Sequence, residues 1–262
     1  MCGIVGIYLK TKKFEKNLGK MLSGMLNNME SRGPDSAGFA IYKEENEKNY
    51  KYSLCLNELN FNDFKKEISN KLSKSQINQF SDHAILKTFE KPNKVIDIIN
   101  LNFPEVSIVG YGKSIEIFKQ VGNPKDVVKK FNLESFCGTH GIGHTRMATE
   151  SAITTDGSHP YSTGEDECLV HNGSLSNHNN LRRELTKKGN IFNSENDTEV
   201  AAGYVSNSLS NNKSLKDTLI SGLKDLDGFY TFITGTRKGF AVVRDEIACK
   251  PAVIAETDNY VA

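Results

Sequence analysis

Met1-Cys2-Gly3-Ile4-Val5-Gly6-Ile7 opens the chain, and its reading decides the rest. A cysteine stands directly behind the initiator methionine. The apolar run Ile4–Leu9 follows it, with glycines at Gly3 and Gly6, and reads as a strand. Taken alone, a cysteine in such a strand is a small buried hydrophobe. Removal of Met1 would change its chemistry. Cys2 would then carry both a thiol, with an ordinary pKa of about 8.5, and a free α-amine at about 7.7–8.0. A base titrating near neutrality would sit on the nucleophile's own residue, the N-terminal-amine way of activating a weak nucleophile.

Outward from this strand, Phe14, Leu18, Met21, Leu22, Met25, Leu26 and Met29 recur at spacings of three and four. They predict an amphipathic helix over Phe14–Glu30, stopped at Gly33-Pro34. Ser36–Lys43 reads as a second strand and Tyr50–Leu54 as a third, paired with it across the polar turn Glu44–Asn49. Phe61–Leu72 and Ser75–Phe89 read as helices, Val106–Gly112 and Ile115–Val121 as strands, and Pro124–Phe131 as a short helix. Residues 56–137 carry no motif connected to chemistry. They read as an insertion or elaboration on a domain that otherwise spans 1–262.

Beyond them, Gly138–Thr145 and Cys168–His171 read as strands and Asn177–Lys188 as a helix that Gly189 stops. Asn196 and Glu199 have capping-box spacing, and Ser214 and Asp217 the related one. Phe229–Thr234, Phe240–Arg244, Pro251–Ala255 and Tyr260–Ala262 close the chain as strands. Strands at both ends with helices between predict sheets layered against helices rather than βαβ repetition.

Composition excludes several functions. With 33 basic and 32 acidic residues the net charge is +1, so no one-sign field attracts nucleic acid or an anionic membrane. The five cysteines are Cys2, Cys55, Cys137, Cys168 and Cys249, an odd count without a C-x-x-C pair. That pattern fits neither a disulfide framework nor a zinc ribbon, and points to a reducing, cytoplasmic setting. No apolar run approaches a membrane span, and the N-terminus lacks a secretory signal's basic region. His140 and His144 stand four apart in a strand-like run, where they need not converge on one ion, and no metal site is expected. No G-x-G-x-x-G follows a strand, so there is no dinucleotide fingerprint.

Five short motifs stand in order: Cys2-Gly3-Ile4-Val5-Gly6, Arg32-Gly33-Pro34-Asp35-Ser36-Ala37-Gly38, His144-Thr145-Arg146-Met147-Ala148-Thr149, His171-Asn172-Gly173 and Glu195-Asn196-Asp197-Thr198-Glu199. Each alone has an ordinary reading: Asn172-Gly173 is a common turn pair, and Asp197 would favour a helix start. Together they resemble the class II, N-terminal-nucleophile glutamine amidotransferases. The resemblance covers about 2–43 and 138–262.

The resemblance implies an α+β fold, a four-layer αββα sandwich of two antiparallel sheets covered by helices. It implies that Cys2 attacks the side-chain amide of L-glutamine and that Asn172 and Gly173 form the oxyanion hole. Arg146 would grip the substrate α-carboxylate with Thr149 beside it. Asp197, with the Gly173 backbone, would hold the α-ammonium, and Arg32 and Gly33 would form a loop near the nucleophile. The chemistry is coherent. An Asn side-chain N–H and a Gly backbone N–H suit an oxyanion, and Arg offers a planar fork to a carboxylate.

One departure is Met147, where relatives that make glucosamine phosphate carry Trp. The runs Arg146–Pro160 and Ala248–Thr257 look most like the separate glutaminase subunit of archaeal-type glutamate synthase. That likeness implies a partner synthase subunit that receives ammonia. Flavin and an iron–sulfur cluster would sit on the partner, with no cofactor in this chain. The alternatives are the glutaminase part of an amidophosphoribosyl- or sugar-phosphate aminotransferase, and a non-catalytic glutamine-binding subunit. In the relatives the strand at Asn259–Ala262 runs on into further strands, so a truncated C-terminus is expected.

Overall fold

The structure is a computed structural model that describes residues 2–44, 48–148 and 152–262. Strand β1 (Gly3–Leu9) leads through a short 3-10 turn to helix α1 (Leu18–Asn28) and strand β2 (Ser36–Tyr42). Then come β3 (Tyr50–Cys55), α2 (Phe61–Lys71), β4 (Gln76–Phe80), β5 (His83–Thr88), α3 (Pro92–Asn102) and β6 (Ser107–Gly112). β7 (Ile115–Val121), α4 (Pro124–Lys130), β8 (His140–Arg146), β9 (Tyr161–Gly164) and β10 (Glu167–Leu175) continue the chain. It closes with α5 (His178–Lys187), α6 (Asp197–Ser210), α7 (Leu215–Asp225), β11 (Gly228–Thr236), β12 (Gly239–Arg244) and β13 (Tyr260–Val261).

Alternation along the strands decides the layers. Val5, Ile7 and Leu9 of β1 and Phe39 and Ile41 of β2 face Leu18, Leu22 and Leu26 of α1 and Val127 and Val128 of α4. The opposite face of this first sheet presents Ala40 and Tyr42 of β2 and Ile142 of β8 to Cys168 and Val170 of β10 and Ile233 of β11. The outer side of that second sheet, with Leu169, Tyr230 and Phe232, is covered by Ala201 and Val205 of α6. Each fully buried aliphatic side chain in these layers contributes about 1.5–3 kcal/mol. The order is therefore helix, sheet, sheet, helix, as the resemblance implied. The first sheet runs β13-β1-β8-β2-β7 and the second β12-β11-β10-β9, with antiparallel pairing throughout.

A third antiparallel sheet, β4-β5-β3-β6, packs on α2 and α3 through Leu54, Phe64, Ile68, Leu86, Val95 and Ile99. It changes three sequence expectations. β3 does not pair with β2, because both edges of β2 are taken by β7 and β8. Ser75–Phe89 is not a helix but the β4–β5 hairpin, turning at Ser81 with a φ of 57°. The boundaries 56 and 137 also miss the sheet boundary: β3 already belongs to the third sheet, and β7 belongs to the first.

Three smaller differences remain. The helix expected over Phe14–Glu30 is a 3-10 turn at Lys12–Asn17 followed by α1, and α3 was not read from the sequence. Pro251–Ala255 forms no strand. Only Ala255 pairs, exchanging two 2.8 Å backbone hydrogen bonds with Ala262. Among the described residues, no helix is long and apolar enough to cross a membrane.

Candidate active site

The first and second sheets meet at one end through the starts of β1 and α6, the end of β8 and the middle of β10. Gly3 pairs with Thr145, which sets Cys2 beside the end of β8, where Arg146 stands. Arg146 is buried, and its Nη1 donates to the Ala152 carbonyl at 3.1 Å. Asp35 holds the segment beyond it by accepting from the Ala148 N–H at 2.8 Å. Gly33 lies against this strand end. A side chain there would put its Cβ 2.3 Å from the Thr145 carbonyl carbon, so the loop needs glycine to come this close. Arg32 Nε donates to the Cys2 carbonyl at 3.4 Å.

Asn172 and Gly173 do not form a turn; both sit inside β10, opposite Thr231 and Tyr230. Gly173 has a φ of 154°, and a Cβ there would fall 1.9 Å from the Phe229 carbonyl oxygen. Only glycine can carry the strand through this point. Asp197 is the first residue of α6, where a negative charge faces the helix's positive end. Asn196 caps that helix, its side chain accepting from the Thr198 N–H at 2.9 Å. Glu199 does not complete the capping box. It accepts from the Asn193 and Ser194 N–H groups and so pins the preceding loop.

Two cavities flank Cys2. One, of about 360 Å³, is lined by Cys2, Arg146, Gly173 and Asp197 together with Met147, His159, His171 and Thr198. The other, of about 290 Å³, is lined by Cys2, Arg32 and Asn172 and by Ile4, Val5, Met25, Phe240, Val242 and Ile254. Of the residues singled out from the motifs, Gly33 lines neither cavity, and Thr149 lies outside the described residues. The first cavity is polar and is lined by the buried guanidinium of Arg146 and by the carboxylates of Glu195 and Asp197. The second is walled by hydrocarbon.

Burial raises the Cys2 thiol above its ordinary value, although its Sγ lies 3.8 Å from the Met147 carbonyl as a donor. Burial also opposes the charge on Asp197. The imidazole of His171, 3.7 Å away, and the Leu175 N–H, 2.8 Å away, outweigh it and leave the carboxyl below its ordinary value. Sequence reasoning did not single out the histidines lining this cavity. His171 and His159 carried no charge pattern to mark them, and only the fold brings them to one hydroxyl, that of Thr198. His140 and His144 serve the frame. Their Nε2 atoms donate to the carbonyls of Thr236 and His171 at 2.7 and 2.8 Å. Burial lowers His140 to about 4 and His144 to about 3. No group of metal-ligating side chains is found among the described residues.

Comparison with known proteins decides the family. The glutamine amidotransferase-like protein GlxB of Rhizobium meliloti (strain 1021) is 52% identical over 265 residues, covering 100% of this chain and 88% of that protein. The chain belongs to the glutamine amidotransferase family. A second relative, from Methanothermobacter thermautotrophicus, also carries a glutamine amidotransferase name and is 34% identical over 279 residues, 100% of this chain and 90% of its own. The sequence profile of the glutamine amidotransferase domain matches residues 144–262 of this chain, from His144 to the last residue given. Its fold is that of the B. subtilis glutamine phosphoribosylpyrophosphate amidotransferase, with a TM-score of 0.59 at 19% identity. That likeness covers 100% of this chain but 41% of the solved one, so this chain spans less than half of its structural neighbour.

Proposed function

We propose that the chain is a glutaminase that hydrolyses the side-chain amide of L-glutamine through a Cys2 thioester and passes the ammonia to a separate synthase subunit. One observation carries the reading: Cys2, Arg146, Gly173 and Asp197 line a single cavity. A thiol, a guanidinium and a carboxylate around one space match the reacting carbon, the α-carboxylate and the α-ammonium of a free amino acid.

The raised thiol makes an internal base necessary, since little thiolate forms near neutrality. With Met1 removed, the Cys2 α-amine takes the thiol proton as sulfur attacks the amide carbon. The tetrahedral oxyanion accepts from the Asn172 side-chain N–H and the Gly173 backbone N–H. The ammonium so formed returns its proton to the leaving nitrogen, and the C–N bond breaks to give ammonia and the thioester. Water, deprotonated by the same amine, then opens the thioester to glutamate and free Cys2. Arg32, donating to the Cys2 carbonyl, orients the nucleophile. Gly33 lets that loop approach, and Thr149 stands beside the carboxylate grip.

The hydrocarbon-walled cavity on the other side of Cys2 supports transfer rather than release. Ammonia leaving toward Ile4, Val242 and Ile254 passes mostly hydrocarbon, and Arg32, whose guanidinium holds its proton, does not protonate it, whereas bulk water would. The acceptor we favour is a synthase of the glutamate-synthase type, with flavin and iron–sulfur cluster on that partner. The test supplies amide-¹⁵N glutamine, 2-oxoglutarate and a reductant to this chain with its candidate partner. Label in the amino group of new glutamate is the expected result. Label only in a phosphosugar or phosphoribosylamine acceptor would replace the synthase with an aminotransferase partner. No release of labelled ammonia by the chain or the complex would make it a non-catalytic glutamine-binding subunit.

A further inference from the structure

Thr198 is almost fully buried, and three groups converge on its hydroxyl. His159 Nε2 and His171 Nδ1 each lie 2.8 Å from Oγ1, and Asp197 Oδ1 lies 3.3 Å away. A hydroxyl has one proton and two acceptor lone pairs, and a carboxylate can only accept. Sending the proton to Asp197 leaves both lone pairs free for the two imidazole N–H groups. This fixes both tautomers: His159 carries its proton on Nε2 and His171 on Nδ1. The remaining nitrogens, His159 Nδ1 and His171 Nε2, are then bare acceptors. Both find no hydrogen-bond partner among the described residues, as this assignment requires.

The surroundings hold the arrangement rigid. His144 stacks on His159 with ring centroids 3.8 Å apart, and donates to the carbonyl of His171. Burial keeps His144 and His159 neutral, so each has a single N–H to give. The other Asp197 oxygen, Oδ2, accepts from the Leu175 N–H. The carboxylate is thus held at both oxygens while it lines the polar cavity.

We propose that Thr198 is a positioning residue: its hydroxyl, with its proton directed by His159 and His171, fixes the Asp197 carboxylate for the substrate α-ammonium. The proposal rests on the reading of Asp197 as the ammonium partner. It also gives the motif Asn196-Asp197-Thr198 three separate tasks: helix cap, charge and orientation.

Glutaminase kinetics on Thr198→Val, Thr198→Ser and Asp197→Asn test it. Valine keeps the shape of threonine and removes the hydroxyl, and serine restores the hydroxyl alone. Thr198→Val should raise KM for glutamine about 10–150-fold, the range set by losing a hydrogen bond to a charged group, and leave kcat within about twofold. Thr198→Ser should return KM to within about twofold of the parent, and Asp197→Asn should raise it at least as far as valine does. An unchanged KM in Thr198→Val, a fall in kcat instead, or no rescue by serine overturns the positioning role while Asp197 keeps its own. An unchanged KM in Asp197→Asn overturns the reading of Asp197 itself. Imidazole ¹⁵N shifts of the parent protein give a check independent of turnover. His171 should show the Nδ1–H tautomer, and an Nε2–H signal would overturn the hydrogen-bond assignment.

Discussion

The two cavities that share Cys2 differ in almost every physical respect. On one side stand Arg146, Asp197, His159 and His171; on the other, Ile4, Val5, Met25, Phe240 and Val242. In the second cavity, lined mostly by hydrocarbon and by no carboxylate side chain, the ammonium of an amino acid would lose its hydration without an acidic side chain to replace it, a cost of several kcal/mol for an ion. In the first the amino acid finds a guanidinium and a carboxylate. Under the proposed function, the difference gives the nucleophile a direction: substrate would enter from the polar side and a small neutral product would leave toward the apolar side. Asn172 lines the apolar cavity and Gly173 the polar one, so the two proposed oxyanion donors straddle the divide.

The largest expected effect removes the shared residue. Cys2→Ala should abolish glutamine hydrolysis while thermal melting stays within a few degrees of the parent, and full activity in that variant would end the thioester mechanism. Mass analysis of the active protein should find Cys2 as its first residue. Next is the divide itself. Asn172→Ala should lower kcat by about 10²–10³ with KM little altered, as for loss of one oxyanion donor. A pure KM effect would place Asn172 among the binding groups instead. On the polar side, Arg146→Ala should weaken glutamine by roughly 1.5–3 kcal/mol, the usual size of a hydrogen bond to a charged group. That is a rise of about 10–150-fold in KM, and an unchanged kcat/KM would remove Arg146 from the carboxylate site.

The buried histidines of the frame and of the polar side should also reveal themselves through acid stability. His140 and His144 are lowered by burial to about 4 and 3, and His159 well below its ordinary value. The unfolded chain, with histidines near 6.5, therefore binds protons first as the pH falls. Stability is complete above about pH 6.5 and is lost below it, at about 1.4 kcal/mol per pH unit for each such histidine until its folded value is reached. Melting temperature followed from pH 7 to 5 measures this, and a flat profile would mean that these rings take up protons in the folded state.

The comparison also shows what the sequence could disclose. Charged groups in short motifs, Arg146 and Asp197, are legible because few residue types do their chemistry. The layers are legible where period two is clean, as in β1 and β2. The β4–β5 hairpin is not, because Ile77, Phe80 and Ala84 fall three and four apart and imitate a helix face. The left-handed turn at Ser81 gives no glycine to mark it. Val253 and Ile254 read as strand by propensity, yet they are 88% and 64% exposed on an irregular segment bordering the apolar cavity. The hydrogen bonds meeting at Thr198 depend on three elements distant in sequence, and no local pattern encodes them.

The smallest expected effect tests the apolar side alone. Ile254 lines its cavity yet is largely exposed, so a charged residue there should fold normally. Ile254→Glu adds an acceptor and an anion at the rim that ammonia would have to pass and that a synthase subunit would have to cover. Glutaminase activity of the isolated chain should stay within about twofold, because nothing on the polar side has changed. Transfer of amide nitrogen to the acceptor in the complex should fall about three- to tenfold, near 1 kcal/mol of lost coupling. The deficit should emerge as free ammonia in the medium. If hydrolysis and transfer fell together, Ile254 would be acting on Cys2 and the two cavities would not have separate roles. If transfer were untouched, ammonia would leave by another path and the apolar wall would be only packing.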